Sequence, residues 1–476
     1  MSAIRTSDSA VARALCAYPW SLMGFLLLCM VVPKLYELTY LFWVGRVSAN
    51  ALGIAEQHEF LSIAIEVINE STAVGILSLV AQASGRRNEV LGALRAGLFV
   101  ALVGSSLLTM MLWIAPQACI RVMGTPPALV SASCSYLRLR ACGLPFDSVG
   151  IVLLTALKAL GRARQAVAIV FAGMLLNAVL DVLTISDTRL SLHLGISGMA
   201  IGFVLSRAAT CILAAVACKR AVGIRGGDLF TGLTRFVGSL PGFLSTGGWA
   251  GMDSLVRNLG YMAMLTVLNA LGTQAFAAYG LAMTIIWTAI LPILALTEGT
   301  NIVIGTLFGQ RRQREMEQTL LVSLVLALGV MSVLLLLGVS GWRLAAGILN
   351  PHPEIVDVSR QIFVSLAVAY LLFAASQILK SLFIGSGRTV NLFLVSLIVN
   401  VLFVLPFVVF ARRSAGHAGF APTVRAFAAG LVFDFVLTVI LTVRLRRVLF
   451  ASSLTLLATP GTLPMADSSA FEGSEL

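Results

Sequence analysis

Residues 157–181 read LKALGRARQAVAIVFAGMLLNAVLD. A basic turn holding Gly161-Arg162 leads into an apolar run that carries Asn177 and Asp181. These landmarks come round again: Gly161-Arg162 recurs as Gly387-Arg388, and Asn177 as Asn400. Gly45 and Gly53 recur as Gly272 and Gly280, and Gly75 and Gly85 as Gly299 and Gly309, with every offset between 223 and 227 residues. A single glycine pair recurs by chance, but a nearly constant offset over the whole set marks two homologous halves.

Of the 476 residues, 58% are apolar and 11% charged, with a mean hydropathy of +0.96; a soluble domain carries about 25% charge. Twelve apolar stretches are long enough to cross a hydrocarbon layer of about 30 Å: 21–45, 61–84, 93–115, 135–157, 165–187, 193–218, 242–268, 281–305, 317–341, 360–384, 390–411 and 424–447. No series of alternating ten-residue segments appears, which argues against a β-barrel. The expected fold is an all-α integral membrane protein with twelve transmembrane helices in two pseudo-symmetric six-helix bundles. These are an N-lobe at 21–218 and a C-lobe at 242–447. A cytoplasmic segment, 1–20, precedes them, a cytoplasmic linker, 219–241, joins them, and 448–476 reads as a disordered cytoplasmic tail rich in Ser, Thr, Pro and Gly. An even number of helices in two homologous halves is the build of a secondary transporter, with the site between the halves near the bilayer midplane.

The net charge of +12 invites a nucleic-acid reading, but the placement of the charges argues against it. Arg86, Arg87, Lys158, Arg162, Arg164, Lys219, Arg220, Arg311, Arg312, Arg314, Arg444, Arg446 and Arg447 all fall in segments on one side of the twelve spans, and the opposite side holds fewer. By the positive-inside rule that side is the cytoplasm, so both termini are expected there, in the plasma (cell inner) membrane. The basicity then answers to topology and anionic lipid headgroups. The seven cysteines are scattered, with no CxxC and no Cys/His cluster, so neither a disulfide framework nor a zinc site is supported. There is no GxxxxGK[ST] loop for ATP and no Ser/His/Asp order, so an enzyme or an ATP-driven pump is not expected. Prolines 33, 145, 292 and 406 fall inside or at the ends of apolar runs, where each removes a backbone hydrogen bond and bends the helix.

Ionisable groups at bilayer depth carry the functional argument, because each is costly there and faces the bundle interior or a wet cavity. Helix 1 holds Lys34 and Glu37, three apart and able to pair. Helix 2 holds Glu66, Asn69 and Glu70 on one face. Helix 5 holds Asn177 and Asp181, four apart and hence stacked; a carboxylate beside an amide can hold a proton or offer oxygens to a hard cation such as Na⁺. In the second half, helix 7 has Asp253, Arg257 and Asn258, helix 8 Glu298, helix 10 Lys380 and helix 12 Asp434; Arg207 sits in helix 6. Arg257 can pair with Asp253 one turn back, and Lys380 with Glu298 or Asp434. Structural ion pairs are the rival reading for all of these.

Several stretches resemble one family. Val44-Gly45-Arg46 followed by Ala51-Leu52-Gly53, the loop Leu157 to Arg164, Leu176-Asn177 through Asp181, Leu194-Gly195-Ile196-Ser197-Gly198-Met199-Ala200, Ala277-Ala278-Tyr279-Gly280 and Gly305 to Arg311 are similar, in order and spacing, to the multidrug and toxic compound extrusion (MATE) family over about residues 20–447. The resemblance implies a V-shaped pair of six-helix bundles that exports organic, often cationic or amphipathic, compounds in exchange for H⁺ or Na⁺. It implies a first-lobe coupling site with an Asn/Asp pair on helix 5, here Asn177 and Asp181, and an aspartate on helix 1, where this chain has Tyr40. Glu37, one turn away, is expected to substitute, with Glu70 as a further helper. The second-lobe acids of the Na⁺-linked type correspond here to Arg257 and Ala374, and a cation at the first position reverses the charge a Na⁺ site needs.

The expectation is therefore an antiporter coupled through Asp181, Asn177, Glu37 and Glu70, with Tyr40, Asn69, Asp253, Arg257, Asn258 and Glu298 lining the substrate cavity. Its partners are a small-molecule substrate, the transported H⁺ or Na⁺ and membrane lipids; no cofactor, bound metal or nucleic acid is implied, and a monomer is expected. The rivals are a lipid-linked precursor flippase of the same superfamily, disfavoured by twelve helices and few intramembrane cations, and a non-transporting membrane protein.

Overall fold

The computed structural model describes residues 19–47, 51–83, 85–122, 127–185, 191–223, 233–413 and 420–457, and no strand occurs among them. The segment 1–18, most of the tail from 458 onward, and 224–232 of the linker lie outside the described residues. Uniformly apolar runs become helices because hydrocarbon offers no partner for a backbone N–H or C=O, and a helix satisfies nearly all of its own.

In the first half, α1 spans Trp20–Val47, α2 Ala51–Ala83 and α3 Arg87–Ile114. The fourth helix, α4, is bent by 40° between Val130–Ala141 and Leu144–Ala159. Then come α5, Ala163–Thr184, and α6, Ile196–Val222. In the second half α7 runs as Leu233–Phe243, a π-turn Leu244–Gly248 and Trp249–Ala270, and α8 as Thr273–Ala289 and Leu291–Gly309. After α9, Gln313–Leu349, and α10, Pro353–Gly385, α11 runs as Val390–Val399, a π-turn Asn400–Val404 and Leu405–Arg413; α12 spans Phe420–Leu457. Ten of these helices are long and apolar enough to cross a membrane, and the bent α4 makes eleven. The twelfth is α7, made less apolar by Asp253, Arg257 and Asn258.

Three of the four prolines stand at a break: Pro145 opens the second segment of α4, Pro292 the second segment of α8, and Pro406 follows the π-turn of α11. Pro33 stays inside α1. The repeated Gly161-Arg162 and Gly387-Arg388 also gain a physical reason. Both glycines have left-handed φ, +74° and +73°. In each, the following arginine N–H reaches back to a carbonyl five residues earlier, Arg162 to Leu157 and Arg388 to Phe383, both at 2.8 Å, a helix stop that favours glycine. The end of α8 departs from the repeat read in the sequence. There Arg311, not Gly309, takes the left-handed position, with φ +58° and the same bond from Arg312 N–H to Leu307 O at 2.9 Å.

α1 to α6 pack on one another around Ile76, Leu94, Val152 and Leu157, and around Tyr136 and Leu137; α8, α9 and α10 with α12 pack around Ile293, Leu366, Tyr370 and Trp342. Between the two sets, α2 lies against α7 and α8, and α1 against α8. The part of the linker from residue 233 is helical, and Phe243 at its end is fully buried against Gly75 and Gly97 of the first half.

Candidate functional site

In the first lobe the helix 5 pair is buried: Asp181 is 1% and Asn177 3% exposed. The reason lies in how α5 meets α6. Gly173 faces Thr210, Gly198 faces Thr184, and Gly202 faces Asn177 and Asp181; small residues at this spacing let helix backbones approach closely in a membrane. A Cβ at Gly202 would lie 3.3 Å from Asp181 Oδ1 and 3.4 Å from Asn177 Oδ1, so the two oxygens converge on one point. The other carboxylate oxygen, Oδ2, accepts the Tyr36 hydroxyl of α1 at 2.8 Å, and Asn177 Oδ1 has no hydrogen-bond partner among the described residues. Arg140 of α4 lies 4.2 Å from the centre of the Phe203 ring and donates to the Tyr136 hydroxyl at 2.9 Å. Two oxygens facing the same glycine suit a proton or a small hard cation. No group of three His, Cys, Asp or Glu able to hold a metal occurs among the described residues.

The four expected coupling residues do not come together. Asn177 and Asp181 do, but Glu37 bonds Lys34 on its own helix at 2.7 Å and is half exposed; Tyr36, one residue earlier, is the group that reaches Asp181. A step of one residue turns a side chain by about 100° around the helix, and that step separates the two. The signal for Tyr36 was its place four residues before Tyr40 on one face of α1; the side chain of Tyr40 is outside the described residues. Glu70 faces the other lobe instead, accepting Arg257 Nη2 at 2.9 and 2.6 Å.

The expected cavity residues divide between two places. Asn69 stays within the first lobe, where its Oδ1 accepts the Ser148 hydroxyl at 2.8 Å. Asp253, Arg257 and Asn258 line the boundary between lobes with α2. Arg257 Nη1 reaches Asp253 Oδ2 at 2.7 Å, Ser396 Oγ of α11 donates to Asp253 Oδ1, and Asn258 Nδ2 donates to Glu66 Oε2 at 3.0 Å. Glu298 pairs with Lys158 of α4 at 2.7 Å, the two side chains only 14% and 16% exposed. Its place just before the Gly161 turn puts Lys158 among the cytoplasmic charges by sequence, but its ammonium points back into the protein to Glu298. Lys380 pairs with Asp434 at 2.8 Å and Arg207 with Asp147 at 3.2 Å, each within one lobe.

Long apolar helices in two repeated halves, with a buried carboxylate in one half and paired charges along the boundary between halves, define a multi-pass membrane transporter. The MatE family matches residues 26–183 and 250–410, and the chain belongs to it. Its members are transporters, not enzymes. The chain is 26% identical over 257 residues to the DNA damage-inducible protein F of Escherichia coli (strain K12), a match spanning 51% of each chain. It is 24% identical over 380 residues to the "Probable multidrug resistance protein YoeA" of Bacillus subtilis (strain 168), covering 76% of this chain and 79% of the relative. In fold it is similar to a multidrug resistance MATE family transporter of the MOP superfamily solved in an outward-facing conformation, with TM-score 0.80 and 20% identity over 90% of this chain and 95% of that one.

Proposed function

We propose that this protein is an antiporter that exports small organic compounds, cationic or amphipathic in character, in exchange for H⁺ or Na⁺, and that Asp181 holds the coupling ion. The observation that carries the reading is that Asp181 Oδ1 and Asn177 Oδ1, the latter unpartnered among the described residues, both face Gly202, in a buried place where Tyr36 already holds the second carboxylate oxygen. A bare carboxylate at bilayer depth is costly. Taking up a proton removes the charge, and taking up Na⁺ balances it. The occupied and empty forms therefore favour different packings of α1, α5 and α6, and cargo that binds one packing better shifts the same equilibrium. The single expected negative charge on the aligned helix 1 position is absent, and Tyr36 supplies a neutral donor in its stead. On this reading the protein works in the plasma membrane with both termini in the cytoplasm, as a monomer among its lipids.

Efflux of the fluorescent cation ethidium from vesicles with purified protein, under an imposed pH or Na⁺ gradient, tests this. The substitution Asp181→Asn keeps the shape but cannot carry the ion in the same way. Gradient-driven efflux should fall to background while equilibrium binding of ethidium persists. Full gradient-driven efflux by that variant would remove Asp181 from the coupling step, and the gradient that drives the unaltered protein identifies the ion.

A further inference from the structure

Among the described residues, two ion pairs cross between the lobes, and they run in opposite senses. In one, the acid is on the first lobe and the cation on the second: Glu70 of α2 with Arg257 of α7, 2.6 Å apart. In the other the order is reversed: Lys158 of α4 with Glu298 of α8 at 2.7 Å. A seam of glycines accompanies them. Gly247 lies on the Ser71 carbonyl, Gly251 on the Ser71 side chain and the Val67 carbonyl, Gly299 on Met23 and Gly309 on the Gln82 carbonyl. The charges inside each lobe do not need these partners, since Asp147 has Arg207 and Asp434 has Lys380.

We propose that Glu70–Arg257 and Lys158–Glu298 form a two-pair clasp that keeps the lobes together along this seam and parts each time the cleft opens there. The proposal rests on the reading of the protein as a transporter whose lobes alternate. The physical case is one of contrast with an apolar contact. A buried ion pair roughly repays the loss of hydration of its two charges, so it adds little net stability over well-packed apolar groups. When the lobes separate on this side, both charges regain water, and the opened state is not penalised as a bared apolar patch would be. The opposite polarities also fix the register. A displacement that brought Glu70 toward Glu298, or Lys158 toward Arg257, would set like charges together.

The two pairs are unequal. Lys158 and Glu298 are almost wholly withdrawn from water, whereas Arg257 is 51% and Glu70 33% exposed, and an exposed pair contributes little. Parting also leaves the partners differently placed. Arg257 keeps Asp253 one turn away, itself held by Ser396, so Glu70 is the group set free toward the cleft.

The test uses protein with its native cysteines replaced and spin labels at Asn88→Cys on α3 and Arg314→Cys on α9, both exposed and on opposite lobes, measured in lipid nanodiscs by electron–electron double resonance. The substitution Glu298→Gln should move at least half of the short-distance population to longer distance, and Glu70→Gln should do so to a smaller extent. The charge exchange Lys158→Glu with Glu298→Lys should restore the short distance. An apolar pair, Lys158→Met with Glu298→Leu, should hold the short distance and slow ethidium efflux at least tenfold. An unchanged distance distribution in Glu298→Gln, or a charge exchange no better than either single variant, would overturn the clasp. The distances report the lobes whether or not any compound crosses, so a failed efflux assay and an absent clasp are separate results.

Discussion

Asp181 sits where a carboxylate is expensive, and the side chains around it divide the work. Tyr36 donates to one oxygen at 2.8 Å; Gly202 leaves the other open beside Asn177. A hydrogen bond to a charged group contributes about 1.5–3 kcal/mol. Tyr36→Phe removes that donor and keeps the ring, so it should lower the thermal stability of the purified protein by an amount of that order and slow gradient-driven efflux about tenfold. Glu37→Gln touches only an exposed pair with Lys34, worth at most about 1 kcal/mol, and should leave efflux within about twofold. A Glu37 variant more damaging than Tyr36→Phe would reverse the assignment made from the geometry. Gly202→Ala tests that glycine itself. Its methyl would stand 3.3 and 3.4 Å from the two oxygens, tight enough to occupy the place of an ion. Efflux should then lose its dependence on the driving ion, read as equal rates with and without the gradient, while the protein still folds.

At the scale of the helices, the α2 face decides how near the lobes come. Gly247 and Gly309 lie against the backbone carbonyls of Ser71 and Gln82, and a carbonyl cannot swing aside as a side chain can. Gly309→Ala and Gly247→Ala therefore have to push α2 away from α8 or α7, a strain of about 1–3 kcal/mol, visible as a lower melting temperature. Gly329→Ala, on α9 with nothing within reach of its Cβ, removes only the conformational cost of a mid-helix glycine and should be neutral or stabilising by about 0.5–1 kcal/mol. If Gly329→Ala destabilises as much as Gly309→Ala, close packing is not what the seam glycines provide. The helices themselves were legible because hydropathy is a property of each stretch alone, and three of the four expected bends because proline acts within its own helix; Pro33 stays inside an unbroken α1. The partners of the charges were not, since sequence distance is silent on which helix lies alongside. Arg257 was paired with Asp253 one turn away, and that bond is present, but the bonds to Glu70, 187 residues off, depend on how two lobes meet. Lys158 shows the opposite failure. Its position before a basic turn pointed to water, yet a flexible four-carbon stem let its charge turn inward to Glu298.

For the whole molecule, the seam and the charge distribution bear on the proposed orientation. The close approaches of the lobes lie along α2 from Val67 to Gln82 and along α8 to Gly309. Both helices run out at arginine-rich turns: Arg86 and Arg87 after α2, and Arg311, Arg312 and Arg314 after α8. In the proposed orientation such turns face the cytoplasm, and the lobes meet on that side. Glu66, further along α2, is exposed and accepts a hydrogen bond from Asn258 of the second lobe at 3.0 Å. This orientation is testable with single cysteines in protein freed of its native ones. At Asn88→Cys, an impermeant thiol reagent added to intact cells should label slowly, and quickly once the membrane is permeabilised. At Glu66→Cys it should label from outside without permeabilisation, because this exposed side chain lies beyond the seam, on the side that the proposed orientation turns outward. Fast external labelling at Asn88→Cys would invert the topology. Protection of both positions until permeabilisation would keep the topology but mean that, in cells, the lobes rest open toward the cytoplasm, with the Glu70–Arg257 and Lys158–Glu298 pairs already parted.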